Sequence, residues 1–112
     1  MQYQELCLKI ENLKKLMLAT VDFEKPYKPV TNCVEYLDVI ENKLKNLDES
    51  SDPNTRFGAL MSIVQMARGL YDTVDWYNYP KVDTTITDIK KIAEGIINSE
   101  NLLPNPKKNT SL

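Results

Sequence analysis

Apolar residues recur three and four positions apart in four separate stretches of this chain: Tyr3, Leu6, Ile10, Leu13 and Met17; Val30, Cys33, Leu37, Ile40, Leu44 and Leu47; Phe57, Leu60, Val64, Ala67, Tyr71 and Val74; Ile86, Ile89, Ala93 and Ile96. Side chains so spaced share one face of an α-helix, and each stretch therefore predicts an amphipathic helix with one buried stripe. Helices this short do not hold by propensity alone. Burying the stripes against one another has to supply the stability, at about 25 cal/mol per Å² of apolar surface.

The polar and proline-bearing segments set the expected bounds. Helix one covers residues 2 to 20 and ends before VDFEKPYKP, where Pro26 and Pro29 stop it. Helix two starts near Val30 or Thr31 and runs to Leu47, with Glu41 and Lys45 as an exposed i, i+4 ion pair. DESSDPNT reads as a loop, with Asp52 as the cap and Pro53 as the first residue of helix three, which runs to Trp76. Pro80 stops YNYPKVD, and helix four begins near Thr84 or Thr85, where Thr85 and Asp88 form a loose capping box, and ends near Ser99. Short connections between helices of similar length favour antiparallel neighbours. The expected fold is an all-α, antiparallel up-down four-helix bundle in one domain, residues 1–103. Residues 104–112, with Pro104, Pro106 and no periodicity, are expected to form a flexible tail, and Leu102 and Leu103 to fold back on the bundle.

Composition narrows the function more by exclusion than by suggestion. The 14 basic residues are matched by 16 acidic ones and scattered along the chain, which argues against a nucleic-acid partner. No run of eighteen apolar residues is present, and the N-terminal segment mixes acids with lysines, so neither a membrane span nor a signal peptide is expected and the location is read as cytoplasmic. Cys7 and Cys33 are too few for a disulfide scaffold. They read as small buried residues in a reducing compartment, with a bridge between the first two helices as the alternative. Histidine is absent, and with it the commonest general base and transition-metal ligand. With three glycines there is no phosphate-cradling loop, and no base stands near Ser50, Ser51, Thr84 or Thr85 to activate a hydroxyl. No cofactor, metal or catalytic residue is expected.

Four features remain as candidate sites. Tyr71, Trp76, Tyr77 and Tyr79 gather aromatic surface at the end of helix three beside Asp72 and Asp75, acids that oppose the helix dipole there. Aromatic anchors of this kind dominate binding hot spots, whereas the plain reading is that they plug the bundle end. Gly58, Ser62 and Gly69 lie with Gln65, Asp72 and Trp76 on the far side of helix three, a small-residue stripe on which a second helix or a second copy of the chain can approach closely. Glu35 and Asp38 with Asp72 and Asp75 are two acidic pairs that would hold divalent metal ions if they converged, as in all-α nucleotide pyrophosphohydrolases. With Leu37 and Ile40 facing the core, however, Glu35 and Asp38 point outward. Leu8 and Leu18 are surplus apolar residues on outward positions of helix one, a sign of a broader buried face or of a partner.

In size and architecture the plan is similar to small bacterial immunity and antitoxin proteins and phage inhibitors, a likeness that carries over no residue. The leading expectation is a non-enzymatic protein-binding module, with a homodimer as a further partner state. The alternatives are the metal-dependent nucleotide hydrolase and a structural homo-oligomer subunit.

Overall fold

Burial of the four apolar stripes accounts for the architecture. The computed structural model describes residues 2–48 and 50–102 and places helices at Gln2–Leu18 (α1), Lys28–Lys45 (α2), Pro53–Thr73 (α3) and Pro80–Ser99 (α4), with one 3₁₀ turn at Trp76–Asn78. α1 packs on α2 and α4, and α3 packs on the same two helices, so the four stand in a ring around one core. Tyr3 and Arg56, in the first turns of α1 and α3, meet Glu100 just past the end of α4. Tyr71 near the end of α3 meets Asp83 near the start of α4. Both meetings join the start of one helix to the end of another. Leu102 packs against the core, while Leu103 and the expected tail lie outside the described residues.

The stripes of α1 and α4 are buried as the spacing predicts, and so is that of α2 except for Leu47, which is partly buried just past the helix end. α3 is turned. Its fully buried residues are Ala59, Leu60, Ile63, Met66 and Leu70, whereas Phe57, Val64, Ala67 and Tyr71 are only partly buried. Ala59, Ile63, Met66 and Leu70 make a second stripe with the same spacing, one residue and so about 100° around the helix from the predicted one. A helix touching two neighbours buries the arc between two such stripes.

Two predicted helix starts fall too late, for one physical reason. Pro29 and Pro80 do not close the preceding connections but sit in the first turns of α2 and α4. Proline lacks an N–H, and the first turn of a helix needs none. Thr85 consequently lies inside α4, where its hydroxyl donates to the Lys81 carbonyl at 2.7 Å, and forms no capping box. Asp52 caps α3 as expected, accepting from the backbone N–H groups of Asn54 at 3.0 Å and Thr55 at 3.2 Å. α4 closes with Asn101 at φ 55°, the Asn101 N–H donating to Asn98 O at 3.2 Å and the Leu102 N–H to Ile97 O at 2.9 Å. This is a Schellman closure with asparagine in the left-handed position usually held by glycine.

The seam between α1 and α2 holds an ionic cluster that replaces the expected exposed Glu41–Lys45 pair. Glu41 is buried, and Lys45 reaches it only at 3.8 Å. Its main partner is Lys14 of α1 at 2.7 Å, whose ammonium also meets Asp38 at 2.6 Å and Glu11 at 2.8 Å. Burial alone would lower the Lys14 pKa, but the hydrogen bonds to Asp38, Glu11 and Glu41 outweigh it and hold the ammonium above its ordinary range. The bond to Lys14 in turn holds the Glu11 carboxyl below its ordinary value.

Candidate functional site at the aromatic end

α3 stops at Thr73 because the chain turns extended at Val74, φ −138° and ψ 144°. From Val74 to Tyr77 burial then alternates, with Val74 and Trp76 inside and Asp75 and Tyr77 outside. One extended residue, Val74, and a tight turn at Asp75, closed by the Trp76 N–H donating to the Val74 carbonyl at 2.8 Å, redirect the chain, so Trp76 is carried into the core although it falls on the far side of the predicted helix. At 0% exposure Trp76 plugs the bundle end and cannot serve as a surface anchor, which corrects its place among the candidate contacts.

The plug is completed by residues that sequence spacing did not place there. Phe23, from the α1–α2 connection, packs edge-on to Trp76 with centroids 5.8 Å apart and tilted against Tyr79 at 5.3 Å. Tyr27 stacks on the outer face of Phe23 at 4.9 Å, and Trp76 and Tyr79 meet edge-on at 5.7 Å. The aromatic pair around the proline in FEKPY was the only local signal, and nothing in it names Trp76 as the partner. The enclosed indole N–H of Trp76 lacks a partner within hydrogen-bond geometry. It lies near enough to the Cys33 thiol to oppose, in part, the rise in thiol pKa that burial causes. Cys7 is also raised, by burial and then by Glu41, and both thiols are free.

Outside the plug, Tyr71 and Tyr77 form a second aromatic unit. Their rings stack at 4.1 Å, 14° from parallel, and the Tyr71 hydroxyl donates to Asp83 of α4. Burial, reinforced by Asp83, raises the Tyr71 pKa well above the ordinary tyrosine value. Tyr77 remains 67% exposed. Asp72 is exposed, and so is Asp75, which accepts from the Asn78 side chain at 2.7 Å. Tyr71, Asp72, Asp75, Tyr77 and Tyr79 are thus brought to one end with Trp76 behind them. Leu18, Tyr27 and Val21, the last 87% exposed, add apolar surface to the same end.

The other candidates separate. Glu35 is exposed, Asp38 turns to Lys14, and Asp72 and Asp75 stay in solvent. Among the described residues no group of three or more acids and cysteines is placed to hold a metal ion, so the two acidic pairs do not converge. In the small-residue stripe, a Cβ on Gly69 would lie 3.5 Å from the Tyr36 ring of α2, so that position already faces a neighbour within the chain. A Cβ on Gly58 would meet open space, and the Ser62 hydroxyl donates back to the Gly58 carbonyl at 3.0 Å. Leu8 and Leu18 are exposed, as their positions predict. No described helix is long and apolar enough to cross a membrane.

Fold and site together define a small four-helix protein with one aromatic end. Compared with protein-family models, curated proteins and solved structures, the chain gives no significant match.

Proposed function

We propose that the protein is a non-enzymatic binding module that occupies a site on a partner protein through its aromatic end. The supporting observation is the exposed Tyr77 ring, stacked on a Tyr71 that Asp83 holds in place. A large ring fixed before contact gives apolar area at little cost in side-chain freedom, which is what a hot-spot residue requires. Tyr79 and the plug behind it keep this surface rigid, and Asp72 and Asp75 add a negative field that speeds encounter with basic groups. Where the covered surface is itself a working site of the partner, binding inhibits it. The two free thiols fit a reducing compartment, and we take the cytoplasm as the place of action.

The test is a photo-crosslinking residue placed at Tyr77 and, as a control, at exposed Glu94 on α4, in cells of the source organism. One protein crosslinked from position 77 and absent from position 94 is the expected result. Equal capture from both positions, or none from either, overturns the reading.

A further inference from the structure

Tyr71 and Tyr77 form one wall of a cleft of about 440 Å³ between α3 and α4. Its volume is within the range of sites that enclose a ligand or a few partner side chains. Ala67 and the buried Ile86 supply apolar lining, and the charged groups around it are ordered. Asp72 and Asp83 lie toward the aromatic end. Arg68 precedes Asp72 by four residues on α3, and Lys90 follows Asp83 by seven on α4, so both cations lie toward the middle of the bundle. Among the described residues neither Arg68 nor Lys90 forms an ion pair.

A wholly basic partner surface would meet Arg68 and Lys90 here, and a wholly acidic one would meet Asp72 and Asp83. Only a segment carrying both signs, in the reverse order, is matched along the whole cleft. At 1.5 Å of rise per residue the acids and cations are separated by about 6–10 Å. On an occupant helix that distance is a spacing of four to seven residues, and an apolar face between the charges is needed to cover the half-buried Ala67 and the stacked tyrosines. Resting on the binding-module reading, we infer that the α3–α4 cleft receives an amphipathic helix of the partner protein. That helix sets a lysine or arginine against Asp72 and Asp83, and an aspartate or glutamate four to seven residues away against Arg68 and Lys90. This is the helix-in-groove mode of recognition, with charge order fixing the register.

The experiment is a selection of displayed helical peptides, randomised on one face, on the full chain. The enriched peptides are then titrated against the wild type, Arg68→Glu with Lys90→Glu, Asp72→Lys and Arg68→Ala. Circular dichroism checks the fold of each variant. The expected result is enrichment of peptides with one base and one acid four to seven residues apart. Their affinity should fall about tenfold or more on either reversal and less on Arg68→Ala, as for loss of a complementary charge against creation of a like one. Enrichment of peptides bearing a single sign of charge, equal affinity for the reversed variants, or no enrichment overturns the inference. Crosslinking from position 77 together with any of these results separates its failure from that of the binding-module reading.

Discussion

The two ends of the bundle are closed by different chemistry. At the end holding the α2–α3 loop, polar groups meet polar groups. Asp48 accepts from the Ser50 backbone and side chain, Asp52 caps α3, Arg56 pairs with Glu100 while Tyr3 bonds to both, and α4 finishes in a Schellman turn. At the opposite end the residues before α2, the 3₁₀ turn and α4, namely Tyr27, Asp75 and Tyr79, make no side-chain capping bonds. Rings fill that end, and Leu18, Val21, Tyr27 and Tyr77 are left facing solvent. Helix ends are closed as well by a few hydrogen bonds, and the apolar side chains left exposed at the aromatic end are the surface that the proposed binding would use, although Leu8, Tyr36 and Val39 are exposed elsewhere.

Trp76→Ala tests this contrast most severely. Removal of a fully buried indole should cost about 3–5 kcal/mol, a large part of the stability of a small domain. Chemical denaturation followed by circular dichroism measures it. A loss below about 1 kcal/mol would mean that the rings do not hold that end closed.

At the polar end the corresponding change is smaller. Asp52→Ala removes two capping bonds from α3 and should cost about 1 kcal/mol. A cost as large as that of Trp76→Ala would abolish the distinction between the two ends.

The ends should also respond to opposite extremes of pH. Hydrogen bonds from Ser50 hold the exposed Asp48 below the ordinary aspartate value. Its contribution is therefore complete above that value and disappears as pH falls through the lowered one. Tyr71 is raised, so its contribution is complete below the ordinary tyrosine pKa of about 10 and shrinks as pH rises beyond it. Amide exchange should speed up first at Ser50 and Ser51 in acid, and first around Tyr71 and Tyr77 in alkali. Simultaneous loosening of both ends at either extreme would contradict the assignment.

The smallest expected effect on stability is that of Tyr77→Ala. The ring is mostly exposed, so the change should stay within about 0.5 kcal/mol, while partner binding should weaken by about 2 kcal/mol. Melting and affinity measured on one preparation separate the two. A marked drop in melting temperature with binding intact would reduce Tyr77 to an outer layer of the plug.

Which features could be read from the residues depended on how local their causes were. The stripe of α1 is single and narrow, so its spacing alone identifies the buried face from Tyr3 to Met17. α3 carries two overlapping stripes, and only the positions of α2 and α4 choose the arc that is buried. The cluster from Tyr71 to Tyr79 is contiguous and could be recognised as a unit. Its division into an inner ring at Trp76 and an outer one at Tyr77 depends on the extended backbone at Val74, which helical spacing hides. Phe23 and the Lys14–Glu41 pair were missed because their partners lie on other elements, and no neighbour in sequence names those partners.

The carboxylate-ringed Lys14 has a use as a chemical clock. Acylating reagents attack the neutral amine, and Lys14 is kept from them both by enclosure and by the protonation that Glu11, Asp38 and Glu41 favour. Its neighbour Lys15 is exposed. The ratio of label on two adjacent lysines, read from a single peptide by mass spectrometry, therefore reports how often the Lys14 ammonium leaves its ring of carboxylates.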